Sequence, residues 1–188
     1  KAMWLPETAA DLATLRLMAE AGVEATILAP WQAEAHHLDN RQPYRVDVGG
    51  GRHITVLFYD ADLSAAVSFE PAVTADADHF ARERIAPRLG GSLHDGRAPM
   101  LVIASDGELY GHHQSFRDLF LHRLVAPSAT TPDRGYDVVT VADVAEEAAG
   151  HPYPEIRIRD RTSWSCHHGV LRWSGECPDA ADGRWKAP

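Results

Sequence analysis

Residues 104 to 114 read Ala-Ser-Asp-Gly-Glu-Leu-Tyr-Gly-His-His-Gln, directly after the apolar run Met100-Leu-Val-Ile103. Asp106, Glu108, His112 and His113 crowd ionisable groups just beyond what reads as a buried strand. A second carboxylate, Glu7, follows the short apolar run Ala2-Met-Trp-Leu5 in the same way. Two carboxylates facing one substrate can do acid/base and nucleophilic work. Across a sugar ring, one attacks or stabilises the anomeric carbon while the other protonates the departing oxygen. On local evidence alone three readings of the Asp106 loop compete: half of such a pair, a metal site built on Asp106, His112 and His113, or a solvated loop.

Aromatic residues are a further resource. Trp4, Tyr110, Trp164 and Trp173 all lie beside polar or glycine-containing stretches, where their rings can stack on the C–H face of a sugar or serve as core. Cys166 and Cys177 form no CxxC pair and no disulfide framework. They read as two reduced thiols in a cytoplasmic protein, with a disulfide or a shared metal as the alternatives.

The elements that must position these groups alternate. Ala2–Leu5 reads as a strand end. Thr8-Ala-Ala-Asp11 has capping-box spacing, and Leu12, Leu15, Met18 and Ala19 recur at helical intervals until Gly22. Residues 25–29 form the next strand, so the first thirty residues read as one βαβ unit. Residues 33–52 read as a long loop broken by Pro43 and Gly49-Gly50-Gly51, and 54–59 as a strand. A helix is expected over about 76–89 with Phe80, Ile85 and Leu89 inward. Residues 100–104 read as a strand, and 115–125 as a helix with Phe116, Leu119, Phe120 and Leu124 on one face. Residues 137–141 read as a strand or as the lead-in to a helix over 142–149, and 155–158 as a further strand. The tail from Asp160, with Trp164, Trp173 and Trp185, is polar and aromatic and is expected to contribute to the site. Parallel α/β folds carry their reactive groups on loops after strand C-termini. That rule selects Glu7, Gln32, Asp60 and the Asp106–His113 stretch.

Composition excludes some classes of function. The 188 residues are 45% hydrophobic, enough for a sizeable core. The formal net charge of −9 argues against nucleic acid as a partner. No apolar run reaches the roughly 18 residues needed to span a bilayer. Eleven histidines is a high count, and six of them sit in the adjacent pairs His36-His37, His112-His113 and His167-His168. The opening Lys1-Ala2-Met3-Trp4 looks like the inside of a longer protein.

Taken in order, Met3-Trp-Leu-Pro-Glu7, Ser105-Asp-Gly-Glu-Leu-Tyr-Gly-His-His113 and Thr162-Ser-Trp-Ser-Cys-His-His-Gly169 resemble glycoside hydrolase family 57. That family includes amylases, 4-α-glucanotransferases and glycogen-branching enzymes, and the resemblance is closest to a bacterial branch. Ile27-Leu-Ala-Pro30 with Gln32, and Phe58-Tyr-Asp60, fit the same pattern, so the match covers nearly the whole chain.

The resemblance implies an α/β fold, part of a (β/α)7 barrel forming a single catalytic domain, with retaining chemistry on α-glucans and no required metal or cofactor. It implies Glu7 as nucleophile and Asp106 as general acid/base. Trp4, Gln32, Asp60, Glu108, Tyr110, His112, His113, Trp164 and His168 would line the substrate site. The early His-Gln-Pro motif of the family is absent, so the first barrel strands are expected to be missing. Trp31 and Gln114 stand where the branch usually carries histidines. An incomplete barrel exposes sheet edges, which argues against activity of this stretch alone. Two rivals remain at this stage: a metal-dependent hydrolase of the polysaccharide deacetylase kind, and a glucan-binding barrel without activity.

Overall fold

A computed structural model describes residues 1–126, 135–150 and 153–178. Trp185 lies outside the described residues. The chain divides into two compact units, one drawn from Lys1–Leu38, Pro43–Leu57 and Val141 onward, the other from Asp39–Gln42 and Phe58–Thr140.

The first unit opens on a parallel bridge. Ala2 pairs with Ala25, and the Met3 N–H donates to the Ala25 carbonyl at 3.0 Å. Helix α1 (Leu12–Glu20) connects these segments, so the strand–helix–strand reading of the first thirty residues holds. The helix start differs from expectation. Asp11 is the N-cap, and its carboxylate accepts from the Thr14 N–H at 2.7 Å. Thr8 instead ends a tight 3₁₀ turn, Pro6–Thr8, with its side chain buried. The helix stops as the sequence predicts. Gly22 takes φ +80°, the Gly22 N–H donates to Ala19, and the Val23 N–H reaches back to Met18, which satisfies two end carbonyls.

Strands β1 (Ala25–Leu28), β2 (Tyr44–Gly49) and β3 (Arg52–Phe58) form a small mixed sheet in the order β1-β3-β2. Reading 33–52 as a loop therefore fails over 44–52. Tyr44, Val46 and Val48 are buried while Asp47 is exposed, the period-two alternation of a strand with one covered face. The β2–β3 pairing is antiparallel, with Val46 opposite Ile54, and it is irregular between Asp47 and Gly49. Gly49, Gly50 and Gly51 all have positive φ, so the three glycines are the hairpin itself. Helix α1 packs on β2, with Leu15 and Met18 turned inward, and the Arg16 guanidinium donates to the Val48 carbonyl at 2.7 Å. Helix α5 (Val141–Gly150) packs against β1, so 137–141 is the lead-in to a helix. Residues 155–158 contribute only isolated bridges, Glu155 to Arg45 and Ile158 to Ala33.

The second unit is helical. Helix α2 (Ala61–Phe69) begins at Asp60, and no strong periodicity announces it because apolar residues occur around much of its circumference. Helix α3 (Ala77–Phe80) runs into a π-turn over Ala81–Ile85, and α4 covers Arg117–Val125. Leu63, Val67, Phe80, Ile85, Leu109 and Phe120 make the core, with Leu89 and Leu124 packed against it. Fully burying such side chains contributes roughly 1.5–3 kcal/mol each.

Phe116 and Leu119 depart from expectation: they are exposed, and Phe116 sits in left-handed backbone ahead of α4. Residues 100–104, expected as a strand, form no ladder among the described residues. They are tied by single bonds: Met100 to Arg41, Asp60 to the Val102 carbonyl, and Ala104 to the Ser64 hydroxyl. In the first unit a short helix, α6 (Leu171–Ser174), lies between Gly169 and Cys177.

Candidate active site

In the first unit, Glu7 sits in the 3₁₀ turn after the Ala2 bridge, with φ 55° and ψ 11°. Thr8 has φ 51°, so two consecutive non-glycine residues occupy left-handed backbone. Such conformations cost about 1–3 kcal/mol each and concentrate at functional sites. The turn is held by what surrounds it. The Trp164 N–H donates to the Glu7 carbonyl at 3.1 Å. The Glu7 carboxylate then accepts from the Trp164 indole at 3.2 Å and from the Ser165 hydroxyl at 2.5 Å, both on Oε2. Two donors on one oxygen fix the direction of an otherwise exposed carboxylate.

Trp4 completes the cluster. Its ring meets Trp164 edge to face, with centroids 5.1 Å apart at 88°, and its indole N–H donates to Thr8 Oγ1 at 3.0 Å. One exposed and one half-buried indole thus stand beside the Glu7 carboxylate.

Gln32 lies beneath, fully buried. Its amide oxygen accepts from the Ala29 N–H at 2.8 Å, and its amide nitrogen donates to the Thr8 carbonyl at 2.9 Å and to Thr162 Oγ1 at 3.1 Å. This amide ties three separate segments together. The Thr162-to-Gly169 stretch is stitched in the same way. Ala10 and Thr162 exchange backbone bonds, the Trp31 indole donates to the Ser163 carbonyl, and the Ser163 hydroxyl donates to the Gly169 carbonyl. The carboxylate of Asp11 is held below the usual range by the Thr14 N–H that it accepts.

Asp106 belongs to the second unit. It precedes a 3₁₀ turn, Gly107–Leu109, and its side chain is exposed and caps nothing. Leu109 enters the core and anchors the turn. The Tyr110 hydroxyl lies 2.8 Å from Ser105 Oγ, so the residues flanking Asp106 are bonded across it. His112 and His113 are exposed and meet edge to face at 4.8 Å. The His113 N–H donates to the Glu108 carbonyl at 2.9 Å. Among the described residues, Asp106, His112 and His113 do not gather their ligand atoms; Cys166, His168 and Cys177 do.

Asp60, also in the second unit, is occupied. One carboxylate oxygen caps α2 by accepting from the Leu63 N–H, and the other accepts from the Arg88 guanidinium at 2.8 Å. Next to it, burial pushes the Tyr59 phenol up to about 12.

Apart from Asp60, which is spent on Leu63 and Arg88, the predicted site residues fall into three groups. Trp4, Glu7 and Trp164 converge, with Gln32 bracing them. Asp106, Glu108, Tyr110, His112 and His113 share one turn. His168 joins the cysteines. Ser165 was missed by the sequence reading, although its place beside Trp164 in the Thr-Ser-Trp-Ser-Cys motif was the available signal.

A sequence model of glycosyl hydrolase family 57 matches residues 1–158. The chain belongs to that family. No curated protein sequence matches it. Among solved structures, the family 57 chain is similar to the 4-α-glucanotransferase of Thermococcus litoralis, with 20% identity, a TM-score of 0.59, and 87% of this chain and 23% of that one covered. It is also similar to an exo-type maltose-forming amylase from Pyrococcus sp. ST04, with 18% identity, a TM-score of 0.64, and 95% and 31% covered. The chain thus spans less than a third of either enzyme, and at these identities the likeness establishes the fold.

Proposed function

We propose that the chain carries the catalytic carboxylates of a retaining α-glucan hydrolase or transglycosylase and forms part of a (β/α)7 barrel within one catalytic domain. Glu7 is the nucleophile. It attacks the anomeric carbon while Asp106 protonates the departing glycosidic oxygen. Asp106 then takes a proton from water or from an acceptor sugar hydroxyl, which displaces Glu7. Trp4 and Trp164 supply stacking faces for the sugar, and Glu108, Tyr110, His112 and His113 bond its hydroxyls.

The observation that carries this reading is the hold on Glu7: a carboxylate in left-handed backbone with two donors aimed at one oxygen. A nucleophile must present its other oxygen at a fixed angle, and this arrangement leaves Oε1 for that purpose. Family membership and the glucan-active names of the two similar structures support the substrate class.

The test uses the full-length protein. With an activated α-glucoside, a Glu7→Ala variant supplied with azide yields the β-glycosyl azide, because azide occupies the vacated face. An Asp106→Ala variant yields the α-azide, because it still forms the glycosyl-enzyme. Unimpaired turnover in either variant without azide overturns the assignment of that residue. A glucan complex of the full-length protein should show carboxyl separations of roughly 5–5.5 Å.

A further inference from the structure

We infer that Cys166, His168 and Cys177 form a zinc site, which pins the segment that holds Glu7. The two sulfurs lie 3.6 Å apart, Cys177 Sγ lies 3.7 Å from His168 Nδ1, and the three ligand atoms all fall within 4.8 Å of one another. Two thiolates bound tetrahedrally at about 2.3 Å place their sulfurs roughly 3.8 Å apart, and a thiolate and an imidazole nitrogen fall slightly closer. The observed S–S edge and the Cys177–His168 edge are those of a ligand set around one metal ion. A disulfide would bring the sulfurs to about 2.05 Å and would give the imidazole no part.

Ligand chemistry selects the ion. Thiolate with imidazole is the donor set of zinc, and oxygen-seeking cations have nothing to bind here. Binding converts two thiols to thiolates and releases two protons. The charges of the ion and of the two thiolates then cancel, which suits two buried sulfurs. His168 is exposed and forms the open edge through which the ion enters and water fills the fourth position.

The backbone is folded for this purpose. The Gly169 N–H closes a turn onto the Cys166 carbonyl at 3.0 Å, and Gly169 at φ +75° reverses the chain beside His168. Helix α6 then carries the chain back to Cys177.

The consequence is positional. Trp164 and Ser165, the two donors to Glu7, immediately precede Cys166. A metal joining Cys166 to Cys177 closes an eleven-residue separation and stiffens the segment that aims the carboxylate. The site acts through Glu7 and does not touch substrate.

The test is metal content, which reads independently of turnover. Full-length protein produced with zinc and purified without chelator should contain about one zinc per chain by mass spectrometry. That content should fall at least tenfold in Cys166→Ser, Cys177→Ser and His168→Ala. Cobalt added to the metal-free wild type should give a thiolate charge-transfer band, which requires no variant to fold. Both thiols should resist a thiol reagent until chelator is added. Wild-type protein without zinc and without the cobalt band, a Cys166–Cys177 disulfide in freshly purified protein, or zinc kept by the serine variants each overturns the inference. Full glucan turnover in protein without zinc overturns this inference and leaves the glycosidase reading standing. About one zinc per chain in a protein with no glucan turnover sustains the zinc site and overturns the glycosidase reading.

Discussion

Trp164 holds Glu7 at both ends: its backbone N–H donates to the Glu7 carbonyl at 3.1 Å, and its indole N–H donates to the Glu7 carboxylate at 3.2 Å. The first bond maintains a left-handed turn that glutamate does not favour. The second aims the side chain. A residue 157 positions away in sequence therefore sets both the backbone and the rotamer of the proposed nucleophile.

Removing only the indole bond is the sharpest test of this relationship. Trp164→Phe keeps an aromatic face toward Trp4 and loses the donor. A hydrogen bond to a charged group contributes about 1.5–3 kcal/mol, so kcat on malto-oligosaccharides should fall roughly 10- to 100-fold while KM changes little. Ser165→Ala should behave alike, and the double variant should lose less than the sum because both donors serve one oxygen. Unchanged kcat in both single variants would show that Glu7 needs no such aiming.

Gln32 is expected to act as a brace. Its amide is spent on Ala29, Thr8 and Thr162, inside a fully buried site. Gln32→Leu strands two backbone groups, each costing about 1–3 kcal/mol. The melting temperature of the full-length protein should drop by several degrees. At temperatures where the variant stays folded, KM for glucan should match wild type. A KM rise without loss of stability would instead return Gln32 to the substrate.

Trp164 and Gln32 show why part of the candidate site was legible in the sequence and part was not. Glu7 and Asp106 could be picked out because each follows an apolar run, and the structure places both at turns beyond such runs. The helix after Asp11 was equally readable from its spacing and its glycine stop. Gln32 looked like a binding group because nothing local shows that Thr8, Ala29 and Thr162 converge on it. Asp60 looked the same way, yet its oxygens go to Leu63 and Arg88. The hairpin over 44–58 was hidden by Pro43 and three glycines, although Tyr44, Val46 and Val48 alternate plainly. Phe116 and Leu119 share the apolar spacing of Phe120, but periodicity cannot say that this edge of α4 stays uncovered.

Gly169 is the position where the least substitution should do the most damage. A Cβ there would sit 2.2 Å from the Arg161 carbonyl oxygen, and the residue's φ is +75°. Backbone strain and overpacking each cost about 1–3 kcal/mol. Gly169→Ala should lower the melting temperature of the full-length protein by roughly 4 °C or more, and it should reduce kcat because the same segment carries Trp164 and Ser165. A melting temperature equal to wild type would mean that the turn at Arg161 and Gly169 is not built this way.

Stability should also fail at high pH through Tyr59. Burial pushes its phenol up to about 12, above the ordinary value near 10. Between those two values the unfolded chain has lost this proton and the folded chain keeps it, so the folded state binds more protons. Stability then decreases as pH rises: Tyr59's contribution is fully present below about pH 10 and is lost as pH climbs through the folded value. Urea midpoints measured from pH 9 upward should therefore fall in the wild type, and Tyr59→Phe should flatten that fall. An unchanged alkaline slope in the variant would show that the phenol titrates as it does in water, and hence that the hydroxyl is not buried.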